Sequence, residues 1–174
     1  TRDATTFNDV KTKLNNFPSS FALFQKRDAL DLITDIASQA RCAVWIKAGV
    51  MYIRYLAEEP AAVAEIVEDE VIEQSLTIEC SSTDNLATKV VAQWKPNYYQ
   101  TKDNQMIVRY NVRQYGEKQI NKDYFIYNIE ALVYKAATFW LIRNANTWKK
   151  LKLSTPLTRL DVETFDGVTI DFDY

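Results

Sequence analysis

Residues 29–54 read ALDLITDIASQARCAVWIKAGVMYIR, and this stretch decides the fold class of the chain. In its first half, apolar residues recur at helical spacing behind Asp28, whose carboxylate can cap the helix, so we predict a helix over residues 28–40. The second half alternates over residues 42–47, reaches Gly49 and continues over 51–56, which is typical of a two-stranded hairpin with a tight turn. A helix followed by a hairpin favours an α+β fold.

Outward from this stretch, apolar spacing predicts two more helices. One is expected over residues 7–16, capped by Thr6 and stopped by Pro18, and a longer one over residues 128–143, capped by Asn128. After Pro60 we expect a short helix or an edge strand, and at 114–117 a loop. Strands are predicted at 76–80, 88–94, 106–112, 148–153, 159–163 and 168–172. The last two are expected to flank a turn at Asp166-Gly167.

These elements predict an α+β fold with one or more antiparallel sheets and two or three packed helices. We expect residues 1–60 to form a helix–helix–hairpin portion. Residues 61–174 are expected to hold the other strands, the long helix and the terminal strands, so that the two portions pack as one or two small α+β units. The 174-residue chain begins without Met and ends inside a predicted strand, so we expect a fragment of a longer protein. No apolar run approaches the ~20 residues of a membrane span.

The composition argues against most kinds of catalysis. Histidine is absent, which removes the commonest metal ligand and the usual general base. Glycine occurs only at positions 49, 116 and 167, too dispersed for a phosphate-binding loop. Cys42 and Cys80 lie far apart, each in a strand that looks buried, so we expect two structural thiols and no disulfide. We therefore expect no enzyme activity, no cofactor and no metal site.

Charge is unevenly placed along the chain, although the net charge of −2 is too small for a general nucleic-acid binder. Residues 1–90 carry 9 Lys/Arg and 14 Asp/Glu, and residues 91–174 carry 12 and 9. The acidic excess lies at Glu58, Glu59, Glu65, Glu68, Asp69, Glu70 and Glu73. The basic excess includes Arg143, Lys149, Lys150 and Lys152. One interpretation is two solvated surfaces. The other is a pair of complementary faces that join copies head to tail into a ring.

Carboxylates form two further groups with chemical potential. The pairs Glu58-Glu59 and Asp69-Glu70 are chain neighbours, whereas a glycosidase needs two carboxylates that face each other across a sugar. The second group offers oxygen ligands that calcium would accept, but without the spacing of an EF-hand. Its members are Asp161, Glu163, Asp166, Asp171 and Asp173. A solvated surface explains both groups; a carboxylate-based hydrolase of cell-wall glycans is the last of our three function hypotheses.

Aromatic residues are plentiful, with four Trp and ten Tyr. Trp45 and Trp140 lie in apolar patterns, where packing in a core is the common role. Tyr98, Tyr99 and Trp148 are instead the candidate interface or ligand residues. Aromatic side chains at a surface mark protein interfaces, and we favour this interpretation. The alternative is a carbohydrate- or peptide-binding module that uses these exposed rings.

Two segments resemble bacteriophage tail-tip and baseplate-hub proteins. In that group a helix of the type A-x-x-x-L-x-x-I-A leads to a strand with an aromatic residue, a short turn with glycine and a second strand, as in residues 29–54. The group also has an Asn and a Tyr-Gly before a helix, followed by a strand, a turn and a final strand. Here these are Asn111 to Glu117, the helix at 128–143, Leu151 to Pro156 and Leu160 to Phe172. The group's Gly-Asp at the last turn appears as Asp166-Gly167, and Asn85 precedes a strand, as it often does there.

The resemblance implies an α+β part of a structural protein from a phage or prophage tail tip or hub. Such proteins form homotrimeric rings at the end of the tail tube and join it to the spike or fibre. The implied partners are other tail proteins and further copies of the chain, without nucleic acid or a membrane span. The implied location is the virion tail, after synthesis in the cytoplasm of the bacterial host. No catalytic residue is carried over.

Overall fold

A computed structural model describes residues 1–97, 99 and 102–171 of the chain. The helices are α1 (Ala4–Lys13), α2 (Ala29–Gln39), α3 (Val112–Tyr115) and α4 (Glu130–Asn144). The strands are β1 (Cys42–Lys47), β2 (Val50–Tyr55), β3 (Ala62–Val67), β4 (Thr77–Cys80), β5 (Lys89–Trp94), β6 (Asn104–Arg109), β7 (Gln119–Asp123), β8 (Lys149–Lys152) and β9 (Gly167–Asp171). Short 3₁₀ turns occur at Glu68–Glu70, Thr83–Asn85 and Leu157–Arg159. Helices combined with several antiparallel pairings confirm the predicted α+β fold.

The chain divides into two compact units, each built from two separate stretches. The larger unit comprises residues 1–56 and 85–146, and the smaller unit comprises residues 57–84 and 147–174. All four α-helices of the described residues belong to the larger unit. The smaller unit therefore depends on strand pairs and turns.

The main core of the larger unit lies between α4 and a three-stranded sheet. In this sheet β5 is central, antiparallel to β6 and parallel to β7. Alternate residues of β5, Val90, Ala92 and Trp94, are at most 3% exposed, as expected for one covered face. They share one apolar cluster with Val133 and Leu141 of α4, which are both fully buried. Burial of a Val or Leu side chain stabilises the folded state by roughly 1.5–3 kcal/mol.

A second core joins α1, α2 and the hairpin of β1 and β2 around Val10, Ala37 and Cys42. The predicted helix behind Asp28 is confirmed, since its carboxylate accepts hydrogen bonds from the next helical backbone amides. The hairpin is confirmed too, in a continuous antiparallel register from residues 42 and 55 to residues 47 and 50. Its turn residues Ala48 and Gly49 both have positive φ, 50° and 77°, as the twist of a two-residue hairpin turn requires.

Two predicted helix caps are wrong. α1 begins earlier than expected, because Asp3 and not Thr6 caps it: the Asp3 carboxylate accepts a hydrogen bond from the backbone amide of Thr6 at 2.8 Å. α4 begins at Glu130 behind Ile129, which makes no side-chain cap bond, so Asn128 is not its cap. This helix is held by its buried apolar residues, which lie on more than one side.

The segment between β5 and α4 differs from the prediction. The strand expected at 106–112 ends at Arg109, and residues 112–115 form α3 where part of a loop was expected. Asn111 starts α3 with φ at 54° and its side-chain amide donates to the backbone oxygen of Ala145 at 3.1 Å, a tertiary contact that breaks the strand. β7 was not predicted, because its sequence QINKD is mostly polar and exposed and carries no apolar alternation.

The smaller unit contains two two-stranded sheets. β4 pairs antiparallel with β8, so that Ile78 lies opposite Leu151 and Glu79 lies opposite Lys150. β3 pairs with β9 in parallel, with Ile66 opposite Ile170. The acidic stretch thus holds an edge strand, β3, followed by the 3₁₀ turn Glu68–Glu70.

The strand predicted at 159–163 is wrong, and so is its pairing around Asp166-Gly167. Residues 157–159 form a 3₁₀ turn, and β9 pairs with β3, not with a neighbouring strand. The cause is an ion pair: the guanidinium of Arg159 donates to both carboxylate oxygens of Glu70 at 2.6 Å, which holds the backbone in the turn.

Candidate functional site

Of the three aromatic candidates, Tyr99 belongs to the larger unit and Trp148 to the smaller unit. Tyr98 lies outside the described residues. Tyr99 is 92% exposed and lines an open depression of about 1100 Å³ with Trp94, Lys102 and Glu130, among others. Trp148 belongs to the smaller unit, where it is 53% exposed and its backbone pairs with Ser81. Trp140 is partly buried and donates its indole N–H to the backbone oxygen of Ser38 at 2.8 Å.

Two of the acidic residues make structural contacts. Glu70 holds Arg159, and Asp166 accepts a hydrogen bond from the backbone amide of Glu163 at 2.6 Å. Asp173 lies outside the described residues. In the part of the chain that the structure describes, no group of three or more His, Cys, Asp or Glu residues is arranged to hold a metal ion.

The groups with raised pKa values lie mainly in the cores of the larger unit. Burial raises the pKa of the Cys42 thiol to about 12 and that of Tyr127 to about 12, and it also raises the pKa of Tyr124. These groups stay protonated at neutral pH and act as packing residues. Cys80 differs from the prediction, since it is exposed on β4, a strand whose residues all face solvent. Cys80 is therefore neither buried nor part of a disulfide, and the predicted structural role of its thiol is wrong.

A cavity of about 480 Å³ in the larger unit is lined by side chains of both charges. Arg27 forms an ion pair with Asp35 beside it, while Lys122 and Asp123 also line it. Burial, and then the neighbouring Asp103, raise the pKa of Asp123. Because two cations and two carboxylates balance around this cavity, charge selects no ligand class for it.

The smaller unit carries the most unusual surface. Among its described residues only Ile66 is buried, at 8% exposure. Nine large apolar side chains of this unit are instead exposed, from 38% at Val67 to 82% at Leu157. They are Val63, Val67, Ile72, Ile78, Trp148, Leu151, Leu157, Leu160 and Phe165. An isolated two-stranded sheet is at best marginally stable in water, and exposed apolar side chains that adjoin one another are typical of interaction surfaces.

The two units differ sharply in charge. The larger unit holds 17 Lys/Arg and 9 Asp/Glu, a net charge of +8, and the smaller unit holds 4 and 14, a net charge of −10. The charge is therefore divided more sharply between the two units than between the first and second halves of the chain. The basic residues of β8 share a unit with the acidic stretch, and Lys152 pairs with Glu79 at 2.7 Å. The tertiary structure, and not chain order, separates the charges.

The sequence patterns did not mark Leu157 and Leu160 as surface residues, because Leu157 lies just before the strand predicted at 159–163 and Leu160 lies within it. The only signal was their position after Pro156 in a stretch without clear alternation. Among the described residues no helix is long and apolar enough to cross a membrane. Comparison with known protein families finds no family model that matches the chain, and comparison with curated proteins finds no match.

Proposed function

We propose that this chain is a structural component of a bacteriophage or prophage tail tip or baseplate hub, and that it acts by presenting subunit interfaces. The observation that carries the proposal is the exposed apolar surface of the smaller unit. Surfaces of this kind mark sites of protein association, and a structural protein needs no reactive group at them. The resemblance of residues 29–54 and 111–172 to tail-tip and hub proteins supplies the biological setting.

In this role the chain associates with further copies, as a homotrimer, and with other tail proteins in the virion. It is made in the cytoplasm of the bacterial host and joins the tail during assembly. Its action is geometric: the larger unit supplies a packed scaffold, and the smaller unit supplies apolar side chains that become buried on assembly. The chain performs no catalysis in this role.

The test is localisation and complementation in a phage or prophage that encodes the chain. We expect an antibody against the chain to label one end of the tail in electron micrographs. Replacing Leu157 by Asp is expected to reduce the number of complete tails about tenfold or more, because a buried charge opposes assembly. Leu157→Met keeps the apolar surface and is the matched control. Labelling elsewhere in the particle, or normal tails with Leu157→Asp, would refute the proposal.

A second candidate function has one observation in its favour. Tyr99 is almost fully exposed beside the open depression that Lys102 and Glu130 also line, an arrangement that suits a carbohydrate or peptide ligand. Glycan-array or peptide-array binding that is lost with Tyr99→Ala, but kept with Tyr99→Trp, would favour this function over the first.

A further inference from the structure

The most exposed apolar side chains of the smaller unit sit on a turn that is held in place. Leu157 is 82% exposed and Leu160 is 76% exposed; the 3₁₀ turn Leu157–Arg159 begins at Leu157 and ends just before Leu160. Arg159 of this turn grips both carboxylate oxygens of Glu70, with nitrogen–oxygen distances of 2.6 to 3.0 Å. A turn fixed in this way presents its leucines without further ordering, which lowers the entropic cost of docking.

The charges of the two units restrict what can cover these leucines. A contact between two smaller units brings together two surfaces of a unit with a net charge of −10, and like charges oppose such a contact. A contact between two larger units places +8 against +8 and leaves the leucines uncovered. The larger unit of another copy carries the opposite charge, and it is the occupant that attraction favours.

We propose that the leucine turn (residues 157–160) of one copy docks on the larger unit of the next copy, so that the contact between copies is head to tail. This inference rests on the proposed function only in that it names the contact through which the copies associate. Because the two surfaces in the contact differ, repetition of the contact leads to a closed ring or to a growing chain, and not to a two-fold dimer.

The experiment uses the full chain and measures association by sedimentation velocity across a concentration series. Attraction between opposite charges is screened by salt, so we expect raising NaCl from about 50 mM to about 500 mM to weaken association severalfold. A contact between two acidic units would respond in the opposite direction, and association strengthened by salt overturns the inference.

A matched pair of variants reads the sign of the covering surface. Leu157→Asp and Leu157→Lys both replace the apolar side chain at an exposed position by a charged one, and the two charges have opposite signs. On a basic partner surface the lysine is repelled and the aspartate attracted, so Leu157→Lys should weaken association about threefold more than Leu157→Asp. Leu157→Met should associate like the parent chain. The reverse order of the two charged variants, or equal association by all three variants, overturns the inference.

Hydrogen exchange gives an independent readout on the same samples. Backbone amides of residues 157–171 should gain protection as concentration rises, while those of α4 should be protected at every concentration. A chain that stays monomeric at all concentrations and labels tail tips refutes this inference but leaves the proposed function intact. A chain that associates as expected but labels no tail refutes the proposed function and leaves this inference intact.

Discussion

Replacing Leu141 by Ala tests whether the core between α4 and the sheet stabilises the larger unit. Leu141 is fully buried, in the same cluster as Val90 and Val133. The substitution removes three carbon atoms, which is about 2.4 kcal/mol of transfer free energy at ~0.8 kcal/mol each. The cavity left between packed neighbours adds a cost on the order of 0.5–1.5 kcal/mol. We therefore expect the free energy of unfolding to fall by about 3–4 kcal/mol.

Urea unfolding followed by helical circular dichroism measures this loss, because the described α-helices all belong to the larger unit. With a urea slope of about 2 kcal/mol per molar, the midpoint should fall by about 1.5–2 M. Leu157→Ala is the matched control: it removes the same atoms from a side chain that is 82% exposed, and its effect should stay within about 0.5 kcal/mol. A loss below about 1 kcal/mol for Leu141→Ala, or equal losses for both variants, would refute the reasoning.

Three further predictions concern titratable groups. On the native protein, a maleimide should modify Cys80, which is exposed, but not Cys42, whose thiol is buried with its pKa raised to about 12; mass spectrometry that finds two adducts before unfolding contradicts this. Asp123→Asn should stabilise the fold at neutral pH and lose its effect in acid. Burial and then Asp103 raise the pKa of Asp123, so the ionised carboxylate is disfavoured in the folded state as pH rises through that pKa. Glu117→Gln should destabilise the fold at neutral pH and also lose its effect in acid. The hydrogen bond from Lys89 lowers the pKa of Glu117, so the ionised carboxylate stabilises the fold above the ordinary Glu pKa, and this stability is lost as pH falls through the lowered pKa. Urea midpoints measured across the acidic range decide both, and pH trends of the same sign in the two variants contradict the assignment.

The elements that the sequence predicted well have local causes. The helix behind Asp28 needs only a capping carboxylate and an apolar stripe, and the hairpin at 42–55 needs only alternation and a turn with glycine. Where a distant partner decides the backbone, prediction failed. Asn111 breaks a strand by bonding to the end of α4, and Arg159 leaves its predicted strand for Glu70. β7 is held by pairing with β5, which its polar sequence does not reveal.

The candidate site divides in the same way. Exposure of Tyr99 was predictable from its place after a strand and a proline, among polar residues. The apolar surface of the smaller unit was not, because each of its residues looks like an ordinary strand or turn residue. Only packing in the folded chain distinguishes the exposed Leu157 from the buried Leu141.

By itself the sequence determined the fold class, the helix–hairpin and the kinds of chemistry that a chain without histidine lacks, because these follow from periodicity and residue type. The tertiary structure alone decided which stretches share a unit, since β3 with β9 and β4 with β8 pair across long separations in the chain. That pairing gathers 14 carboxylates into one small unit and leaves nine of its large apolar side chains exposed. Long-range strand pairing leaves no local pattern in the chain, and so the surface on which the proposed function depends appears only once the chain is folded.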